Sequence, residues 1–249
     1  MSIFIEVWNS LISLLAQALT TLNGLTGNLG ISIILLTIAT KLLMLPLTIK
    51  QTRSMKSMQK LQPELKKVQK KHKDDKKKQQ EELLKLYSKH KVNPLGGCLP
   101  IVLQFPVFIA LFTILRKKSS AKLKEEAVTV PAVATVGKAV LKASFLGIGL
   151  GASMQSVVAA GASFATLVPG IILMGAMIVS HYFHSKAMGT GDKSQSMMMN
   201  MMLIMMAYFA YIFPAGLVIY WTTTNLVGIF EHYIINRFFP HHEPEKQGA

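Results

Sequence analysis

One residue stands out for the chemistry its setting demands. Lys41 interrupts an otherwise apolar run at 30–49, eleven residues after its start and nine before Lys50. On a helix rising ~1.5 Å per residue it lies about 14–17 Å from either end, near the middle of a ~30 Å hydrocarbon layer. A lysine at that depth costs roughly 2.5–3.5 kcal/mol on insertion scales, and it persists mainly where a water-filled cavity or a partner compensates it. The sequence offers no carboxylate at matching depth, since Glu231 falls near the end of the last apolar run. A hydrated cavity around Lys41 is therefore the expectation, with a lysine that snorkels toward the interface as the plainer alternative. Thr37, one turn earlier, extends the same helix face. Gln104, Asn200, Tyr220, Thr224 and Asn225 are the polar residues of other apolar runs that would complete the cavity wall. Each also suits a hydrogen bond between packed helices.

Nothing in the sequence assembles a reaction centre. The fragment 189–194 (G-T-G-D-K-S) has the flavour of a phosphate loop, but its glycine does not directly precede the lysine and no strand leads in. His181 and His184 are three residues apart at the end of an apolar run and lack a third ligand, so they read as interfacial residues rather than a metal site. Cys98 is the sole cysteine and reads as a small packing residue. No catalytic activity, cofactor or metal is expected.

The elements that must position Lys41 follow from how apolar and basic residues are distributed. A mean hydropathy of +0.38 together with a net charge of +15 suits no single globular core, and the two properties are in fact separated along the chain. Residues 50–91 hold 15 Lys/Arg against five acids, so this segment alone carries +10 of the +15. Apolar runs occupy 30–49, 96–115, 167–183, 197–213 and 215–235, each close to the ~20 residues a membrane-crossing helix needs. The fold expected is an all-α integral membrane protein. Its spans are placed at 29–49, 96–115, 167–184, 197–213 and 214–236, with cytoplasmic loops at 50–95 and 185–196, an outer loop at 116–166 and a cytoplasmic tail at 237–249. Basic segments stay in the cytoplasm, which puts the N-terminus outside and the C-terminus inside. The seven Lys/Arg between 116 and 167 conflict with that placement, although charges in long loops weigh less.

Two further segments have recognisable patterns. In 1–28, Glu6, Asn9, Ser10, Ser13 and Gln17 interrupt Ile5, Trp8, Leu11, Ile12, Leu15 and Leu19 at helical spacing, which predicts an amphipathic helix lying in the interface, with a sixth span as the alternative. In 50–91, Met58, Leu61, Leu65 and Val68 form one stripe and Leu83, Leu86, Tyr87 and His90 a second, which predicts a two-helix hairpin. Pro63 suits the first turn of a helix, Asp74 and Asp75 mark the tip, and 93–97 (N-P-L-G-G) ends the segment. The hairpin is either a solvated coiled coil that obeys the charge rule or a dock for anionic lipid headgroups or ribosomal RNA. Seven of the 15 methionines crowd into 197–206, a surface suited to many apolar shapes or to plain packing.

Three stretches taken together resemble the YidC-type membrane protein insertases: T-K-L-L-M-L-P-L-T-I-K-Q at 40–51, N-P-L-G-G-C-L-P-I-V-L-Q-F-P-V-F-I-A-L-F at 93–112, and F-P-A-G-L-V-I-Y-W-T-T-T-N-L at 213–226. The resemblance implies a five-helix core around a hydrophilic groove open to cytoplasm and lipid, a cytoplasmic hairpin and an interfacial helix before the first span. It places Lys41 where the family carries an arginine, five residues before Pro46, and it places Thr37, Gln104, Tyr220 and Trp221 among residues that line or border the groove. Lysine keeps the charge but loses the planar fork of donors. The outer loop is longer than the family's usual connection. The implied function is insertion: nascent membrane proteins are received in the positively charged groove and their apolar segments pass into the lipid bilayer. The ribosome and the general secretion translocon are the further partners implied. Absence of a transit peptide, a lipidation cysteine and a large outer domain favours a bacterial plasma membrane. A small channel or transporter subunit with a polar cavity is the alternative, as is a membrane anchor for ribosomes.

Overall fold

The structure, a computed structural model, describes residues 2–90, 99–116, 136, 139–140, 142–188 and 193–238. The 93–97 break, Cys98, most of the 189–194 fragment, the tail from 239 and most of 116–141 lie outside the described residues. The described chain is mostly helical. Helix α1 spans Ser2–Thr26, α2 Leu29–Lys71, α3 Lys76–Lys89 and α4 Leu99–Arg116; strands β1 (Ser144–Phe145) and β2 (Ile148–Gly149) follow, then α5 Met154–Ala159, α6 Phe164–Ala187, α7 Lys193–Ile212 and α8 Ala215–Phe238.

The described residues of the five apolar runs are helical up to Ile212 in the fourth and throughout the others, as their composition requires. Helix α1 buries Ile12, Leu15, Ala16 and Leu19, which recur at three- and four-residue steps, against α2 and α4. Gly27, with φ +64°, reverses the chain where a side chain would be strained, and Asn28 caps α2 by accepting from Gly30 N and Ile31 N at 3.0 and 3.2 Å.

Helix α2 corrects one expectation. The first hairpin helix is not separate: α2 runs from Leu29 through Pro46 and Pro63 to Lys71 without interruption. Pro63 is therefore interior to a helix rather than in its first turn. It stands exposed, where water can satisfy the carbonyl that its missing N–H leaves free. The tip falls where expected. Asp75 caps α3 by accepting from Lys78 N at 3.0 Å, and Gln79 Nε2 donates to Gln69 O at 2.9 Å across the hairpin. Helix α3 buries no side chain. On it, the hydrogen bond from Lys85, 2.7 Å away, holds the Glu82 carboxyl below its usual value.

A two-stranded ribbon departs from the all-α expectation. Leu146 and Gly147 both have positive φ, the geometry of a tight turn between β1 and β2, and a turn of four residues leaves little sequence signal. The ribbon seats Phe145 on Gly30, where any side chain would overlap the ring. Beyond it, Leu150 O and Ala152 O accept from Gly216 N and Ala215 N at 3.0 and 2.8 Å, satisfying N–H groups at the start of α8 that have no partner within the helix.

Helix α8 is the centre of the fold and packs mainly on α6 and α2. Gly216 lets the start of α8 lie close against α4 and α2, since a Cβ there would lie 3.1 Å from Leu115 and 3.2 Å from Ile33. A second cluster joins Met177, Met206, Ala210 and Val218. The outer surface is apolar: Leu43 is 81% exposed, Ile204 72% and Ile172 65%. Such surface is stable against lipid and not against water. Among the described residues, α2 and α6 contain windows long and apolar enough to cross a membrane, and Gln104–Leu115 and Met199–Ile212 are shorter apolar stretches.

Candidate functional site: a polar cleft between α2, α6 and α8

The cleft is built on one face of α2. Lys41, Met44, Thr48, Gln51, Thr52 and Met55 repeat at three- and four-residue steps and form its first wall. Helix α6 contributes His184 and Met188, α8 contributes Gly228, Glu231 and His232, and α4 contributes Gln104. About 590 Å³ of open space lies between them, mouth included. Gly228 sets the width on one side: a Cβ there would lie 2.5 Å from His184 Nε2, so the imidazole rests directly on the α8 backbone.

Lys41 has a carboxylate partner. Its Nζ lies 3.1 Å from Glu231 Oε2, with side chains 13% and 7% exposed. This overturns the expectation that no carboxylate would reach it. Counting residues compares Cα depths, whereas α2 and α8 lie side by side and a flexible lysine stem bridges several residues of offset along the cleft. Part of the lining is under-satisfied: Gln51 Nε2, Glu231 Oε1 and His232 Nδ1 are buried and have no hydrogen-bond partner among the described residues. Buried polar atoms almost always have a partner, and where protein supplies none, water does. Three such atoms, one on the charged pair itself and two beside it, mark the cleft as a place for water or for polar groups of a guest.

The other residues singled out from sequence divide into three groups. Gln104 lines the cleft and donates from Nε2 to the buried Tyr220 hydroxyl, so α4 and α8 are joined at its edge. Thr37 is buried above Lys41 with its hydroxyl donating to Ile33 O at 2.6 Å, and Trp221 packs edge-on against Phe108 at 5.3 Å between centroids. Thr224 is half-buried on α8, one turn after Tyr220, and Asn200 stands exposed on α7. Neither is part of the cleft lining. Asn225 donates to Ser180 Oγ at 3.3 Å and serves as glue between α8 and α6.

Sequence reasoning missed Glu231, His184, His232, Gln51, Thr48 and Thr52. A signal existed for two of these: Thr48 and Thr52 continue the face of Lys41 at helical spacing. At the cytoplasm-expected end, Gln59 Nε2 donates to Met188 O at 2.7 Å and Lys56 Nζ to Asn236 Oδ1, tying the extension of α2 across α6 and α8.

Apolar-surfaced helices that keep an ion pair and unpartnered polar atoms in a cleft between them define a helical membrane protein with a polar cleft among its helices. Residues 21–243 match the 60Kd inner membrane protein family. The Membrane protein insertase YidC of Fusobacterium nucleatum subsp. nucleatum is 39% identical over 232 residues, 92% of this chain and 96% of that protein. The Membrane protein insertase YidC of Syntrophobacter fumaroxidans is 36% identical over 219 residues, 85% of this chain and only 35% of that protein. Among solved structures, an active YidC insertase crystal structure with its first transmembrane domain resolved superposes with a TM-score of 0.63 at 27% identity, covering 90% of this chain and 45% of that one. The chain belongs to the 60Kd inner membrane protein family and is a membrane protein insertase.

Proposed function

We propose that the chain receives the polar outer segment of a nascent membrane protein in the cleft around Lys41, while the client's apolar segment slides into lipid along the exposed faces of its helices. The observation that carries this reading is the set of buried, unpartnered polar atoms around Lys41 inside an apolar shell. Moving a polar segment through hydrocarbon without hydrogen bonds is costly, and a wet cleft at intermediate depth lowers that cost without a nucleotide or cofactor. The apolar segment then partitions by burial of its own surface. Five helices (29–49, 96–115, 167–184, 197–213 and 214–236) form the spanning core in this reading, with the N-terminus outside, the C-terminus inside and α1 lying in the outer interface of a bacterial plasma membrane. Exposed Val7, Ser10, Leu14 and Gln17 follow one another at three- and four-residue steps and share the face of α1 opposite buried Ile12, Leu15 and Leu19, a mixed apolar and polar surface of the kind an interface accepts. The basic hairpin serves as the cytoplasmic dock for the ribosome, and the general secretion translocon is a second partner. Reconstitution tests the reading: proteoliposomes should integrate a single-span client synthesised in their presence to protease protection, and empty liposomes should not. Equal protection in both, or solute flux without integration, would refute it.

A further inference from the structure

The cleft is less positive than the chain around it. Although the protein carries +15, the ammonium of Lys41 is answered at 3.1 Å by Glu231. Glu231 holds the ammonium with Oε2 alone, and its Oε1 is buried, unpartnered and part of the cleft wall. The carboxylate therefore occupies the place on Lys41 that a client's aspartate or glutamate would take.

We infer that Glu231 is a specificity-determining residue of the insertion groove, an internal competitor that client carboxylates must displace from Lys41. The inference rests on the cleft being the client-receiving groove. An unpaired ammonium at low dielectric would attract acidic segments strongly and also retain them. With Glu231 in place, an entering carboxylate exchanges one ammonium–carboxylate pair for another, so acidic segments are neither strongly drawn nor strongly held. The same lining holds an unpartnered donor, Gln51 Nε2, suited to accommodate a displaced carboxylate. Neutral polar segments meet a cleft close to neutrality, and a basic segment meets the unpartnered oxygen of Glu231. The pair thus broadens the range of client charge that the groove accepts.

The test uses the full chain in liposomes of one fixed lipid composition and three clients with the same apolar span, whose outer segments carry three aspartates, three serines or three lysines. The readout is the ratio of acidic to neutral and of basic to neutral client inserted by one preparation, which cancels the amount of folded protein. Glu231→Gln should raise the acidic-to-neutral ratio severalfold and by at most about thirtyfold, the factor that corresponds to a coupling of ~2 kcal/mol, and lower the basic-to-neutral ratio. Lys41→Met with Glu231→Gln should bring both ratios near unity. The exchange Lys41→Glu with Glu231→Lys keeps a pair and should keep both ratios near those of the unaltered protein. If Glu231→Gln does not fold, Glu231→Asp, which draws the carboxylate back from Lys41, should shift the ratios in the same direction by less. An unchanged or lowered acidic-to-neutral ratio in Glu231→Gln, or in Glu231→Asp if it replaces it, overturns the inference and makes Glu231 a structural partner of Lys41. If the unaltered protein inserts none of the three clients above empty liposomes, the groove reading itself fails.

Discussion

Replacing Lys41 by Met removes the ammonium and keeps an unbranched apolar stem, leaving Glu231 7% exposed with neither oxygen paired. At 3.1 Å and an effective dielectric of ~20 the lost attraction is about 5 kcal/mol before desolvation is counted. Removing one partner of a fully buried pair costs about 3–5 kcal/mol. This pair borders an open cleft, and water entering it screens part of the charge left behind, so ~2–3 kcal/mol is the expected loss. For a chain of this size each kcal/mol lowers the melting temperature by about 2–4 °C, which places Lys41→Met roughly 5–10 °C below the unaltered protein. Lys41→Met combined with Glu231→Gln removes both charges and should recover to within ~1 kcal/mol, because neutral replacement of a whole buried pair is close to free. The coupling read from the four proteins should be about 2 kcal/mol. Thermal unfolding in a mild detergent at neutral pH measures it. If Lys41→Met melts with the unaltered protein, or the double substitution loses the sum of the single losses, the two side chains are not paired in the folded protein and the electrostatic account of the cleft is wrong.

Gly228→Ala should force His184 away from the α8 backbone, lowering the melting temperature and insertion together, and His184→Ala in the same protein should restore the melting temperature; no loss in Gly228→Ala would refute the close contact. Deleting residues 66–89 should leave melting nearly unchanged, because α3 buries no side chain, while lowering insertion of ribosome-delivered clients; a collapse in melting would make the hairpin structural. In a Cys98→Ser background, an impermeant thiol reagent on intact cells should label a cysteine at position 2 and spare one at position 248; the reverse pattern would invert the topology. Asn28→Ala should cost ~1 kcal/mol through loss of the α2 cap, read as a shift in melting temperature, and no shift would show that the cap is dispensable.

The features legible without a structure are those carried by composition and local spacing. Apolar runs near the length of a bilayer crossing declared their helices, because backbone groups in hydrocarbon must pair within their own segment. The charge separation marked 50–91 as a segment apart, and Asp75 marked its tip. Lys41 announced a polar site by its depth in an apolar run. What the sequence could not supply was the other wall. Glu231 lies 190 positions away, and only the packing of α8 on α2, with Gly216 permitting the approach, brings its carboxylate to the ammonium. Likewise His184 enters the cleft because Gly228 leaves room for its ring, and Gln104 meets Tyr220 because α4 lies beside α8. The unbroken course of α2 through Pro63 was hidden because proline penalises a helix locally, whereas solvent at an exposed site offsets the penalty. One-dimensional spacing determined which residues share a helix face; the pairing of faces, and hence the charge of the cleft, was decided by tertiary packing, because it depends on contacts between residues far apart in the chain.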